Sequence, residues 1–252
     1  MSARDHPLGE YRYLPGIDPY SCGVIATPGW EIVHVTLARQ IPWHNGLLQV
    51  RDYLEALGRT RHSLCAVELR CPKPYSIDGF IEFNQRYCEL LENWEMVIDG
   101  YNPLARTNVA PVENPPEEPV LHGFSYCEPS GTSRPTFVVA GAGELVEGTL
   151  ESNGIIRLRE TSEDALMEKA RYVVQVMRER LAGLEANGEG LTTIDVYSAH
   201  PLHRVMAEVI VPGLPAAAQQ GVRWFYSRPP VLDIEFEMDM RGVLRDVVIE
   251  LG

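Results

Sequence analysis

The chain has few basic residues for its size. Of its 252 residues, 22 are Lys or Arg and 35 are Asp or Glu, which gives a formal net charge of −13. A nucleic-acid-binding protein needs a basic face to neutralise phosphates, so we expect no nucleic-acid partner. The same charge repels an anionic ligand, which would need a local arginine site in order to bind.

The sequence also lacks the apolar runs that direct a chain to or across a membrane. No stretch reaches the roughly 18 consecutive apolar residues of a membrane span, so we expect no membrane partner. The opening "MSARDHPLGEYRYLPG" contains no apolar core of a secretory signal. The five cysteines are an odd number without the spacing of a disulfide framework, which favours reduced thiols. We therefore expect a cytoplasmic protein.

Motifs for metals and dinucleotides are missing as well. There is no His-x-Glu combined with Pro-Cys-x-x-Cys, which excludes the zinc deaminase mechanism, and no His/Cys set has zinc spacing. The stretch "GAGELV" has Val146 where a dinucleotide fingerprint needs its third glycine. We expect neither a metal nor an organic cofactor.

Apolar spacing predicts an α+β fold made of two similar halves. In the first half, strands and helices follow the order β-α-β-α-β-β, and a similar order recurs in the second half. The stretch "CEPSGTSRP" between them is rich in turn residues. We therefore predict two domains, residues 1–126 and 127–252.

Three separated stretches of the first half resemble the RidA/YjgF (reactive-intermediate deaminase) family. They are "GIDPYSCGVIATPGWEIVHVTLARQIP", "GFIEFNQRYCELL" and "NPLARTNVAP". The resemblance implies two tandem RidA/YjgF-like modules of the chorismate-mutase-like type, each a mixed β-sheet with two helices on one face. It also implies a homo-oligomer, for example a trimer, since such modules close their pockets by association.

The resemblance further implies a pocket, which falls on Tyr20, Asn84, Arg106 and Asn108 of this chain. The family's catalytic glutamate should fall near Leu121 or His122, and neither is a carboxylate. His122 is the nearest match and titrates close to neutrality, so it is a candidate acid or base; the alternative is a strand-end histidine satisfied by the backbone.

Independently of any family resemblance, the alternation of side chains along a strand places Arg106 and Asn108 on the same face. A guanidinium group grips a carboxylate through two parallel hydrogen bonds, which favours a carboxylate ligand. The alternative is that Arg106 pairs with a nearby acid such as Glu113.

Alternation in "LDIEFEMDM" (residues 232–240) predicts one strand with four carboxylates on one face. That face is either solvated or lies at an interface. At an interface the carboxylates would have raised pKa values or would pair with Arg223, Arg228 or Arg241. Glu235 and Glu237 occupy the place of the family glutamate in this half, so both are candidate catalytic residues that a neighbouring domain could lend to the Arg106 pocket. Arg223 is a candidate substrate-binding residue.

Among two-module relatives, the chain is most similar to deaminases of 2-aminomuconate and 2-amino-5-chloromuconate. The resemblance implies a cofactor-free hydrolase that converts an enamine or imine dicarboxylate to the 2-oxo acid and ammonia during the degradation of aromatic and nitroaromatic compounds. One alternative is a chorismatase-like enzyme acting on a cyclic dicarboxylate. Another is a non-catalytic module that binds a small carboxylate.

Overall fold

In the computed structural model, which describes residues 2–146 and 151–252, two β-sheets pack face to face between outer helices. The six-stranded sheet has the order β11-β6-β5-β7-β4-β13, in which β5 is parallel to β6 and β4 is parallel to β13. Its strands are β4 (Trp30–Pro42), β5 (Leu64–Arg70), β6 (Ala105–Pro111), β7 (Val120–Pro129), β11 (Ser227–Arg228) and β13 (Arg245–Ile249).

The seven-stranded sheet has the order β1-β2-β3-β8-β12-β9-β10 and is antiparallel apart from the β9–β10 pair. Its strands are β1 (Arg4–Asp5), β2 (Tyr11–Leu14), β3 (Gly23–Ala26), β8 (Phe137–Gly143), β9 (Thr193–Tyr197), β10 (Arg223–Phe225) and β12 (Glu237–Gly242).

Three longer helices cover the outer faces of the sheets. They are α1 (Trp43–Ala56), α2 (Ile77–Asn93) and α3 (Glu163–Gly183). The Oγ atoms of Ser76 and Ser162 accept hydrogen bonds from backbone amides in the first turns of α2 and α3, as expected of N-cap residues.

The remaining helical segments are short. The region after β9 combines α4 (His203–Val205), a π-helical turn (Met206–Ile210) and α5 (Val211–Gly213), and α6 (Ala217–Gln220) follows. Single 3₁₀ turns form at Arg61–Ser63, Ser152–Gly154 and Gly188–Gly190. No helix in residues 2–146 and 151–252 combines the length and apolarity needed to cross a bilayer.

Side-chain alternation along the strands separates three apolar layers. Val67 and Leu69 of β5 pack under α1 and α2, whereas Met238 and Met240 of β12 pack under α3. Between the sheets lies a third cluster, to which both sheets contribute, with Ala66 among its members. The layers therefore run helix, sheet, sheet, helix, and a residue between the sheets is distant from water on both sides.

The predicted fold class is wrong in its division into two tandem modules with two helices each. Strands β1, β2 and β3 from the start of the chain join the sheet of the second half, while β11 and β13 from the end join the sheet of the first half. In addition, α3 is the single long helix on the seven-stranded sheet in the described ranges. Strand pairing is set by non-local hydrogen bonds, which the local order of elements does not report. The division at residues 126 and 127 stays a prediction.

Candidate active site

A cavity of about 210 Å³ lies where β6 and α2 meet β8 and β12. Both sheets and the loop around Tyr20 supply its walls. The polar side chains at its surface include Tyr20, Arg106, Asn108, Arg180 and Glu237. The rest is apolar, which is the composition of a small-molecule site.

Arg106 is the cation on the β6 side of this cavity and is 3% exposed. Its Nη2 donates to Oδ1 of Asn84 on α2 at 2.6 Å. Its Cζ lies 4.9 Å from the ring centroid of Tyr20 and 4.7 Å from that of Tyr87, within cation–π range. Aromatic rings and an amide thus hold the guanidinium group, and no carboxylate of the described residues forms a salt bridge with it.

Several buried polar atoms around Arg106 have no hydrogen-bond partner within residues 2–146 and 151–252. They are Nη1 of Arg106, both amide atoms of Asn108, Nδ2 of Asn84 and Oη of Tyr87. An unsatisfied buried polar group costs about 1–3 kcal/mol, and more when it is charged. Arg106 and Asn108 line the cavity, and Asn84 and Tyr87 contact Arg106. Such a concentration of unpartnered groups beside a cavity is typical of a ligand site, because a polar ligand would restore some of these bonds.

The loop carrying Tyr20 is tied to the start of β6. Asn102 donates from Nδ2 to the carbonyl of Pro19 at 2.8 Å and accepts from the amide of Leu104 at 3.0 Å. The amide of Ser21 donates to the carbonyl of Leu104 at 2.8 Å. These bonds fix Tyr20 beside Arg106, although the two residues are far apart in the sequence.

Glu237 is the carboxyl group of the cavity and is 5% exposed. Burial, followed by the charges of Asp239 and Glu144, raises its pKa well above the usual range, while Arg180 and Arg106 oppose the shift. Burial thus favours the protonated form of this carboxyl group. Oε1 of Glu237 occupies the space that a side chain at position 141 would need, so Gly141 makes room for it.

The segment before Glu237 is held by a fully buried ion pair. Nζ of Lys169 donates to Oε1 of Glu144 at 2.9 Å, and both side chains are 0% exposed. The carboxylate of Glu144 accepts from the amides of Glu235 at 2.6 Å and Phe236 at 2.9 Å. In a strand these amides would instead donate to a neighbouring strand. Asp233 also has a φ of 69°, which lies in the left-handed region and not in the extended region of a strand. The strand therefore starts at Glu237 and not at Leu232, which corrects the predicted alternation.

Arg180 reaches the cavity from α3. Its Nη1 donates to the carbonyls of Ala140 at 2.9 Å and Gly141 at 3.2 Å, and the residue is 6% exposed. Arg180 was not among the residues predicted from the sequence, although the sequence contains a signal for it. Arg180 and Lys169 both lie on the apolar stripe of α3, and a base on a buried helical face is typical of a paired or functional residue.

The structure separates three candidate residues from this cavity. His122 lies near Gln40, and burial and the charge of Arg70 lower its pKa to about 4, so it is a weak base. Glu235 accepts from His200 at 2.8 Å and Arg228 at 3.3 Å.

Arg223 is also outside the cavity, because both oxygens of Asp195 bind it, at 2.6 and 2.7 Å. Arg223 is therefore paired, but with Asp195 and not with a carboxylate of residues 232–240 as the sequence suggested. Glu113, the acid considered for Arg106, is exposed.

A second polar cluster lies between the sheets, built on Glu68, Asp195 and Asp239, whose oxygens approach one another closely enough for a metal. However, Nη1 of Arg241 lies 3.3 Å from Glu68 and 3.0 Å from Asp195. The guanidinium group already pairs with two of these three carboxylates, so the donor set does not fit a metal ion.

Comparison with known proteins identifies relatives along nearly the whole chain. The family model described as "2-aminomuconate deaminase CnbZ" matches residues 3–247. A 2-amino-5-chloromuconate deaminase from Comamonas testosteroni is 37% identical over 245 residues, which cover 96% of each chain. A chorismatase crystal structure superposes with a TM-score of 0.47 and 9% identity, over 96% of this chain and 80% of that one, a likeness too distant to carry a functional argument.

These findings overturn the assignment to the RidA/YjgF family. The family model that spans the chain is a different one, and the exchanged strands are not those of two tandem modules. The resemblance rested on three short motifs, whereas the shared family extends over both sheets. The motif residues Tyr20, Asn84 and Arg106 nevertheless meet in space.

Proposed function

The chain belongs to the 2-aminomuconate deaminase (CnbZ) family, and from this premise we propose that it hydrolyses an enamine or imine dicarboxylate of the 2-aminomuconate type to a 2-oxo acid and ammonia. One observation carries the proposal. Arg106 and Asn108, which have unpartnered buried polar atoms, line one cavity together with the carboxyl group of Glu237, whose pKa is raised by burial.

In this proposal Arg106 binds the carboxylate next to the amino-bearing carbon. Its Nη1 is unpartnered, and Asn84 already fixes Nη2, so the group is oriented before the ligand arrives. The amide of Asn108, on the same face of β6, offers one acceptor and one donor group to the amino nitrogen or to water. Positioning of this kind supplies much of the rate enhancement in many enzymes.

Glu237 moves the protons. Its carboxylic acid protonates the enamine carbon, which leaves an iminium ion and a carboxylate. The carboxylate then takes a proton from water as the water oxygen bonds to the iminium carbon. A proton then passes from the new hydroxyl group to the nitrogen. The C=O bond of the 2-oxo acid forms as the C–N bond breaks and ammonia leaves, and Glu237 is again protonated, as at the start. The iminium carbon is itself electrophilic, so the chemistry requires no Lewis acid.

Ammonia release from 2-aminomuconate by the purified protein, measured with EDTA present, tests the activity. We expect Glu237→Gln to lose at least 100-fold in kcat, since general acid–base catalysis contributes about 10²–10⁴-fold. Glu235→Gln is the matched control, because its carboxylate lies outside the cavity.

The Arg106→Ala variant tests the carboxylate clamp, and we expect it to raise KM. No ammonia release from the unaltered protein would refute the proposal and, if the compound still bound, would favour a binding module. Full turnover by Glu237→Gln would refute the role of Glu237.

A further inference from the structure

The carboxyl group of Glu237 borders a buried polar layer between the sheets that the proposed chemistry does not use. Met238 and Met240 of β12 pack under α3. Because side chains alternate along a strand, Glu237, Asp239 and Arg241 point to the opposite face, between the sheets. Glu237 lines the cavity, whereas Asp239, two residues along the same face, is 3% exposed.

Thr107 of β6 lies beside both of these carboxyl groups. Its hydroxyl donates a hydrogen bond to the carboxyl group of Asp239. Oγ1 of Thr107 lies 3.1 Å from the point that a Cβ atom at position 141 would occupy, and Oε1 of Glu237 also contacts that point. Because residue 141 is glycine, no side chain separates the two oxygens. A hydroxyl group in this place can accept a proton from one carboxyl group as it donates its own to the other.

A second cavity, of about 10 Å³, adjoins Thr107 and Asp239, and we call it the inner cavity. Its polar wall also includes Glu68 and Arg241, and Nε of Arg241 has no hydrogen-bond partner among the described residues. This volume and this polar wall suit a single water molecule. Nη2 of Arg241 donates to Asp246, which is 36% exposed, so the polar layer extends from the cavity to the protein surface.

The surroundings of Asp239 suit a group that both gives and takes a proton. Burial, followed by the charge of Asp195, raises the pKa of Asp239 to about 7, so both protonation states are populated near neutral pH. The charged or titratable groups that face Asp239 are Asp195 and Tyr197 of β9, Glu68 of β5, His34 of β4 and Arg241 of β12. Those that act on Glu237 are Asp239, Glu144, Arg180 and Arg106.

We propose that Thr107 and Asp239 relay protons from the polar layer between the sheets to Glu237. The relay rests on the proposed function and adds the step that follows C–N cleavage. Ammonia is a base, so in the cavity it takes the proton of Glu237 and leaves as ammonium. Asp239 then gives its proton to the oxygen of Thr107 as the hydroxyl proton of Thr107 passes to the carboxylate of Glu237, and a proton from solvent returns to Asp239. Both relay residues act on the substrate only through Glu237.

Stopped-flow measurement of 2-aminomuconate consumption separates the first turnover from the later ones. Thr107→Val keeps the shape of the side chain and removes the hydroxyl group. We expect a burst of about one substrate per active site, because the first turnover uses the proton already on Glu237. Later turnovers should be slower by about tenfold or more, with little change in KM.

Thr107→Ser should restore the steady rate, because it restores the hydroxyl group. The matched control is Thr36→Val, which changes a threonine of β4 that is not part of either cavity wall and should show no burst. Asp239→Asn, which keeps the shape but cannot carry the proton, should show the same burst as Thr107→Val and replaces it if that variant does not fold. An unchanged kcat, or first and later turnovers slowed by the same factor, would overturn the relay.

Infrared spectroscopy tests the relay without turnover, with the unreactive dicarboxylate muconate (hexa-2,4-dienedioate) present to fill the cavity. The carboxylic acid band that Glu237→Gln removes belongs to Glu237. After rapid mixing with D₂O, Thr107→Val should slow the isotope shift of this band by about tenfold or more. An equal rate in both proteins would overturn the relay. A failure of the proposed function gives a different result, in which the unaltered protein releases no ammonia although the exchange still depends on Thr107.

Discussion

Replacing Lys169 with Met should destabilise the fold more than almost any other single substitution in α3. Lys169 and Glu144 are both 0% exposed and joined at 2.9 Å. Methionine removes the cation with little change in volume and leaves the carboxylate of Glu144 buried with backbone amides as its remaining partners. Breaking a buried pair in this way costs about 3–5 kcal/mol, a large part of the roughly 5–15 kcal/mol that stabilises a typical protein.

The destabilisation caused by Lys169→Met should increase with pH. Burial raises the pKa of Glu144, and Lys169 opposes that shift. Without Lys169, the folded-state pKa rises further above the unfolded value. The stability that comes from this raised pKa is fully present below the pKa of Glu144 in the unfolded chain. It is lost as the pH rises through the pKa of Glu144 in the folded protein. The deficit of Lys169→Met should therefore be larger at pH 8 than at pH 5.

Urea unfolding followed by tryptophan fluorescence at both pH values measures these free energies. The double variant Glu144→Gln/Lys169→Met should recover part of the loss, because it removes the uncompensated charge while the glutamine oxygen still accepts one backbone amide. A loss below about 1 kcal/mol, or a double variant no more stable than the single one, would refute this account of the pair.

The other predictions concern the cavity and the layer between the sheets. Gly141→Ala should displace Glu237 and lower kcat, whereas Gly131→Ala, with open space around it, should not. Asn102→Ala should raise KM and cost about 1–3 kcal/mol, since it releases the loop of Tyr20 from β6; unchanged kinetics would contradict this. Burial and neighbouring acids raise the pKa of Asp239 to about 7. The free energy of unfolding that this raised pKa contributes is therefore lost as the pH rises towards 7. In this range Asp239→Asn should gain about 1.4 kcal/mol of stability per pH unit relative to the unaltered chain. If urea unfolding shows the same pH dependence for both proteins, the prediction is contradicted.

Local features of the fold follow from the sequence. The pair Thr161 and Ser162 before an acidic first turn predicts the start of α3, and Ser162 is the residue that caps it. The apolar spacing of Leu47, Val50 and Leu54 predicts the face of α1 that is buried. Alternation along β6 correctly placed Arg106 and Asn108 on one face. Each of these depends on neighbours within a few residues, so one sequence contains the necessary information.

Features that depend on distant partners were not predictable in the same way. The alternation of residues 232–240 suggested one strand, but the side chain of Glu144 captures two amides and delays the strand to Glu237. His122 was chosen because of a motif position, yet burial and the charge of Arg70 lower its pKa to about 4 and make it a weak base. In both cases the cause lies in tertiary contacts with residues that are distant in the sequence.

The exchange of strands between the sheets explains why the cavity has its particular chemistry. Residues 15–22 lead into β3 of the seven-stranded sheet, while Asn102 ties them to β6 of the other sheet. Tyr20 is therefore held where the sheets meet, between Arg106 from one sheet and Glu237 from the other. Because α3 also reaches this junction, a cation from each sheet layer and the carboxyl group of Glu237, whose pKa is raised by burial, converge there. The cavity thus depends on the chain's non-local pairing, since neither sheet by itself contains both Arg106 and Glu237.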